Sequence, residues 1–224
     1  TSLPACRPMS HPQHDALQQG AAALALGLPD QALQQLLQYL DLLARWNRVY
    51  NLTAVRDPQD MLGQHLLDCL AVLPSFRRHL EGRTGPRLLD VGSGAGLPGV
   101  VLAICEPAWA VTCVDTVGKK VSFIRQAAAE LGLGNLQAVH HRVEAMEAPP
   151  FDLITSRAFA SLADFVRLTR ERLAVGGAWA AMKAHLTPDE RAAVPDDVAM
   201  FHVEPVQVPG LNAERCVVWM RPES

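Results

Sequence analysis

At 224 residues, 49% of them apolar, the chain is long enough to bury a sizeable core without leaning on disulfides or a structural metal. Its 20 Lys and Arg stand against 23 Asp and Glu, a net charge of −3, so a basic tail is excluded and any nucleic-acid partner has to be met by a local patch. The composition also excludes a disordered or collagen-like chain.

The longest apolar stretches, 21–28 and 99–105, fall well short of the ~20 residues that span a bilayer. The first thirty residues, with His11, His14 and Asp15 among them, lack the form of a secretory signal. Five scattered cysteines (Cys6, Cys69, Cys105, Cys113, Cys216) form no C-x-x-C pair, so neither a disulfide framework nor a zinc site is expected, and a reducing cytoplasm fits best.

Up to about residue 80 the apolar residues recur at helical spacing. One helix is expected after Pro29, with Asp30 as its cap and Leu33, Leu36, Leu37, Leu40 and Leu43 as its apolar face. A second is expected from Asp57-Pro58, a cap followed by proline at the first helical position, with Met61, Leu62, Leu66, Cys69, Leu70 and Leu73 facing the core. A break at Pro74 and the polar stretch to Pro86 then separate an amino-terminal helical cap, 1–82, from an α/β unit, 83–224. In that unit short apolar runs alternate with helices, the signature of a parallel sheet with helical crossovers. Strands are predicted at 87–91, 110–115, 136–141, 151–155 and 178–183. Helices are predicted from Pro98, over 119–131 and over 161–173, the last with a capping box, Ser161 and Asp164. Two final runs, 201–208 and 215–220, joined by Pro-Gly-Leu-Asn, predict an antiparallel hairpin at one sheet edge.

The sharpest motif is LLDVGSGAGLPG, Leu88 to Gly99, in which a strand runs into Gly92, Gly94 and Gly96 and then into a helix. Residues without a side chain let the backbone turn tightly and approach a ligand. Asp115, at the end of the next strand, is placed to accept from the hydroxyls of a ribose. A nucleoside-containing cofactor is therefore expected. Asp90, just ahead of the first glycine, would repel a pyrophosphate at the helix start but suits the ammonium of a methionine moiety. The reading is S-adenosylmethionine, with a nicotinamide dinucleotide as the alternative.

On these segments the chain resembles the glucose-inhibited division protein B family of 16S ribosomal RNA guanine-N(7) methyltransferases. The matching stretches are WNRVYNLTAVRD (46–57), HLLDC (65–69), the glycine loop with Leu97-Pro98-Gly99, Arg142-Val143-Glu144, and SRAFASL (156–162). The resemblance implies a Rossmann-like class I methyltransferase sheet and an S-adenosylmethionine-dependent activity on 16S ribosomal RNA or the small subunit. It also implies cofactor contacts at Gly92, Leu97, Val143, Glu144 and Arg157. Two positions depart from the family pattern: Cys69 where serine is usual, and Ala184 where glycine is common.

The chemistry narrows the target independently. No Asn or Asp followed by Pro-Pro-Tyr stands after the fourth strand to grip an exocyclic amine, and no cysteine stands in a strand-end loop to attack a pyrimidine carbon. A ring nitrogen with a lone pair, such as guanine N(7), has no proton to lose and needs alignment and electrostatics rather than a base. Arg157, at the end of the fourth strand, is the catalytic candidate, or else the partner of a strand-end acid. Phe159 is read as core in preference to a stacking platform. Arg45, Arg48, Asn51 and Arg56, with Lys183 after the fifth strand, are the RNA-contact candidates; the bland alternative is a solvated helix end capped by Asn51. His65 is read as packed, and His140 and His141, adjacent on a strand, cannot share a metal. A small-metabolite methyltransferase and a non-catalytic cofactor sensor remain compatible with the loop alone.

Overall fold

The computed structural model describes residues 11–157, 159 and 161–223; Cys6, and two alanines of the 156–162 motif, lie outside them. The apolar stripe expected after Pro29 forms α2 (Asp30–Tyr50), preceded by α1 (His14–Ala23). Leu33, Leu36, Leu37, Leu40 and Leu43 are all buried. Asp30 does not cap: Pro29 holds the N-cap position, and Asp30 lies in the first turn, where its charge still favours the positive end of the helix. At the other end Asn51 adopts the left-handed conformation, φ 49°, and its N–H donates to Asn47 O.

Asp57 does cap, accepting from Gln59 N at 2.8 Å with Pro58 in the first turn. The helix it opens is not uniform. Four residues of α3 (Pro58–Met61) pass into a π-helical turn, Leu62–Leu67, and then into α4 (Asp68–Leu80). Nor does it break at Pro74, which lies inside α4. A proline there forfeits a single ladder bond, and the burial of Leu73, Phe76 and Leu80 on the core keeps the helix continuous across it.

Seven strands follow: β1 (Arg87–Val91), β2 (Ala110–Asp115), β3 (Leu136–His140), β4 (Phe151–Ser156), β5 (Leu173–Lys183), β6 (Val198–Val206) and β7 (Arg215–Pro222). They form one sheet in the order β3-β2-β1-β4-β5-β7-β6, the first five parallel and β7 antiparallel to both neighbours. Between and after the strands lie helices α5 (Gly99–Cys105), α6 (Gly118–Glu130), α7 (Leu162–Thr169) and α8 (Pro188–Ala192), with 3₁₀ turns at Val143–Ala145 and Arg170–Arg172. Alternate strand residues feed two cores. Leu88, Val111, Cys113, Ala180 and Trp219 meet the amino-terminal helices, α5 and α6 on one face; Leu89, Val114, Trp179 and Val218 meet α7 on the other. The carboxyl ends of β1 and β4 lie side by side where the strand order reverses, the place at which open α/β sheets take their ligands.

The helix expected over 161–173 runs as α7 to Thr169 and continues as a 3₁₀ turn, Arg170–Arg172, straight into β5, which begins five residues earlier than expected. Thr169 sits where the helix tightens: its hydroxyl donates to Phe165 O at 2.6 Å and accepts from the buried Trp179 Nε1 at 2.9 Å. The helix end is thereby pinned to the sheet, and the extra strand residues are taken up in a bulge opposite β4. Ser161 accepts from Asp164 N, but the Asp164 carboxylate accepts from Arg167 instead of reaching back. A complete capping box occurs at Thr187 and Glu190, which the sequence reading did not single out.

Candidate functional site

After β1 the chain turns through 92–96. Gly92 and Ser93 donate their N–H groups to Val114 O, and Gly94 N donates to Asp115 Oδ2 at 2.9 Å. Asp115 Oδ1 accepts from Val117 N at 2.9 Å. One carboxylate thus ties the loop to the end of β2 and fixes the start of α6. Gly92, Gly94 and Gly96 all have positive φ, and at Gly96 a Cβ would collide with the Val100 side chain. From the amino-terminal side the fully buried Tyr39 donates its hydroxyl to Ala95 O at 2.7 Å, so α2 braces the loop.

Asp90 lies beneath this turn, 1% exposed. Its Oδ2 accepts from Gly99 N at 2.8 Å, an approach that needs glycine because a Cβ there would meet Cys113 Sγ and Asp90 itself. Its Oδ1 is buried with no partner among the described residues. Burial pushes this carboxyl up to about 7, against the Gly99 N–H and Arg157, which pull it down. A cavity of about 390 Å³ opens beside the loop between Gly92, Asp115, Val143, Glu144 and Phe159. The glycine turn and the cavity beside it, lined by apolar side chains with Asp115, Lys120, Arg142 and Glu144, fit the ribose and base of S-adenosylmethionine, and the unpartnered oxygen of Asp90, beneath the loop and outside that lining, is an acceptor of the kind the cofactor's ammonium needs. Leu97 has its side chain buried in the core, and its N–H donates to Ser93 O, which stiffens the loop. Phe159 packs on Phe165, ring centroids 5.3 Å apart, while lining the same cavity.

On the other side of the switch point lies a cleft of about 350 Å³ bounded by His65, Asp68, Arg157, Lys183 and Arg215. Arg157 Nη1 donates to Asp68 Oδ2 at 3.0 Å and to Gln64 O at 3.2 Å, so the guanidinium has an acid partner, though not the strand-end acid considered from sequence. The partner comes from α4 and is not Asp90. The π turn makes the second bond available. Asp68 N–H, which would take Gln64 O in an α-helix, donates to Gly63 O instead, leaving Gln64 O to Arg157. Asp68, 5% exposed, holds a second guanidinium on its other oxygen, Arg215 Nε at 2.8 Å.

His65 is buried as expected. Its Nε2 lies 2.9 Å from Thr53 Oγ1, and burial with the nearby Arg157 charge pulls its pKa down to about 4. Cys69 is fully buried, and burial pushes its thiol up, so it serves as packing. Ala184 has no positive φ; alanine is unstrained where the family favours glycine.

The RNA-contact candidates fall into two groups. Arg45, Arg48, Asn51 and Arg56 are exposed around the end of α2, with Arg56 Nη2 donating to Asn51 Oδ1 at 3.0 Å. Asn47 stands apart from them. It is buried and closes the 51–55 loop, donating to Val55 O and accepting from Thr53 N. Lys183 lies in the cleft with its Nζ 2.5 Å from Glu190 Oε1. Tyr39, Asp68, Arg215 and the Gln64 carbonyl were not singled out from sequence. An acid on the apolar face of the Met61–Leu73 helix was the one signal available, for Asp68. Among the described residues no three His, Cys, Asp or Glu converge as metal ligands, and no helix is long and apolar enough to cross a membrane.

This sheet order, with a glycine turn after β1 and an acid closing β2, is that of class I S-adenosylmethionine-dependent methyltransferases. Solved structures share the fold: a mutant of MtNAS in complex with S-adenosylmethionine (TM-score 0.58, 14% identity, 95% of this chain and 79% of that one) and TrmN from Thermus thermophilus (TM-score 0.55, 22% identity, 72% and 53%). Within that class the chain belongs to the rRNA small subunit methyltransferase G family, whose model matches residues 32–218. It is 60% identical over 204 residues to the ribosomal RNA small subunit methyltransferase G of Methylibium petroleiphilum (91% of this chain, 92% of the relative). It is 58% identical over 214 residues to that of Acidovorax sp. strain JS42 (92% and 94%).

Proposed function

We propose that the protein transfers the methyl group of S-adenosylmethionine to N(7) of a guanine in 16S ribosomal RNA, in the cytoplasm, with that RNA or the small subunit as its partner. The observation that carries this reading is the placement of the glycine-turn cavity and the Arg157 cleft on either side of the β1/β4 switch point. The bound cofactor supplies an electrophilic methyl group on a sulfonium. Asp90 receives its ammonium and Asp115 its ribose hydroxyls. Gly92, Gly94 and Gly96 let the backbone approach, Val143 and Glu144 flank the base, and Leu97 holds the loop from behind. Arg157 orients the guanine by its O6 edge, leaving the N(7) lone pair to take the methyl carbon while the carbon–sulfur bond breaks and its electron pair leaves with the neutral thioether. Incubating the enzyme with tritiated cofactor and undermethylated small subunits, then mapping the labelled nucleotide, tests the reading; label on any atom but guanine N(7) contradicts it.

Asp115→Ala is expected to weaken cofactor binding by about 1–3 kcal/mol, the range for hydrogen bonds to a charged group. It removes the ribose acceptor and also frees the N–H groups of Gly94 and Val117. Titration calorimetry on the folded variant checks this, and wild-type affinity contradicts the assignment.

With a net charge of −3, RNA affinity has to come from local cations. Removing Arg45 or Arg48 should lower affinity for all RNA sequences alike. Each lost phosphate contact should flatten the slope of log K against log salt by about 0.7 to 0.9. An unchanged slope in both variants removes the end of α2 from the RNA interface.

A further inference from the structure

The cleft at Arg157 does not end at Lys183. Past Ala184 it opens into a larger groove of about 680 Å³ between α8 and the β6–β7 turn, and the two share Ala184, Val206, Arg215 and Cys216 as a common wall. The groove has an apolar floor that includes Leu186, Val203 and Leu211. Two carboxamides, Gln207 and Asn212, the His185 imidazole and the Arg191 guanidinium line it as well. Glu214 is the one acid of the described lining, and its carbonyl accepts from Arg215 Nη1 at 2.8 Å.

These walls are fixed from several directions. Thr187 and Glu190 close a reciprocal capping box. Lys183 ties the same Glu190 to the end of β5. Arg215, at the junction of cleft and groove, is held by Asp68, the carboxylate that holds Arg157. A rigid surface of this kind, apolar below with amides and guanidinium groups around it, has the chemistry of a nucleotide seat. The base rests on the apolar floor, amides meet its edge, and guanidinium groups meet phosphate.

We propose that this groove binds the nucleotide directly adjoining the target guanosine in an unpaired strand. Arg215 faces the phosphate that joins the two nucleotides, Arg191 faces the phosphate beyond, and Gln207 with Asn212 reads the neighbouring base. The inference rests on the rRNA reading above and adds to it a second subsite, which makes the enzyme selective for sequence one position away from the base it methylates. Continuity with the Arg157 cleft and the local cations favour RNA over a ribosomal-protein segment as the occupant.

The test uses the full chain with undermethylated small subunits. Arg191 and Asn212 are exposed, so their loss leaves the core intact. In Arg191→Ala and Asn212→Ala, KM for the subunit should rise about tenfold or more, as for the loss of a charge-assisted or specific contact, while cofactor affinity, the check on folding, stays that of the wild type. A photo-crosslinker on Asn212→Cys should attach to the nucleotide next to the methylated guanine. Wild-type KM in both variants, or crosslinks to remote nucleotides or to a ribosomal protein, overturn the groove assignment while wild-type methylation keeps the rRNA reading standing. A wild-type enzyme that labels no rRNA removes both.

Discussion

Asp90→Asn is expected to make the ligand-free protein more stable at pH 8 and to cost it most of its cofactor affinity. Burial raises the Asp90 carboxyl from its ordinary 3.8 to about 7, so the folded state prefers the neutral acid. The stability this preference confers is complete below about pH 4 and is lost as pH rises through about 7; at pH 8 the protein buries a full charge. A difference of about 3 units corresponds to about 4 kcal/mol. An amide removes that penalty, keeps an acceptor for Gly99 N–H, and introduces a buried NH₂ that costs about 1–3 kcal/mol if unpartnered. A net gain of about 1–3 kcal/mol at pH 8, disappearing by pH 5, should be visible in denaturant midpoints. Cofactor affinity should fall by about 2–5 kcal/mol, the cost of truncating one partner of a buried charged pair. In the wild type, binding an ammonium against the ionised carboxylate should release a proton near pH 6.5. Calorimetry in buffers of different ionisation enthalpy detects that release. Wild-type affinity in the asparagine variant would sink the assignment of Asp90 to the cofactor.

How far this site was legible in the sequence follows from how far apart its partners lie. Asp90, the glycines and Asp115 fall within one strand–turn–helix–strand unit, where period and spacing fix their relative positions, and the structure brings them together around one loop. The sheet, its crossovers and the closing hairpin were legible for the same reason, since each strand announces itself locally. The set around Arg157 was not. Its partner Asp68 lies 89 residues away, and that acid's second cation, Arg215, another 147 from Asp68; no periodicity links them. The carbonyl of Gln64 depends on a one-residue slip into π geometry over Leu62–Leu67, which the apolar periodicity of that stretch does not signal. Tyr39 reads as one more apolar residue on the α2 stripe, and only the folded chain places its hydroxyl on Ala95 O. The misplaced boundaries have tertiary causes too: packing carries α4 through Pro74, and the Trp179 indole pins α7 to the sheet at Thr169.

With Asp90, which burial raises to about 7, committed to the cofactor's ammonium, no other side chain near Arg157 is suited to removing a proton at neutral pH, and the methyl-transfer step is expected to be nearly flat from about pH 6 to 8.5. His65, the nearest imidazole, is pulled down to about 4 and has its Nε2 on Thr53, so it stays neutral throughout that range. Asp68 has both oxygens committed to guanidinium groups, and burial keeps the Cys69 thiol protonated. A guanine N(7) nucleophile asks for none of these, since it enters with its lone pair free. What it needs is a fixed orientation, which Asp68 and the Gln64 carbonyl give Arg157 before the substrate arrives. Arg157→Lys should therefore slow single-turnover transfer about 10²-fold, because a point charge cannot keep both anchors and a planar grip on the base. Cofactor and RNA affinities measured separately in that variant apportion the loss between binding and transfer. Titration of Asp90 belongs to cofactor binding, so it should move the cofactor KM with pH and leave the rate at saturating cofactor unchanged. A steep pH limb that persists at saturating cofactor and vanishes in His65→Gln would overturn the baseless mechanism, even with guanine N(7) confirmed as the methylated atom.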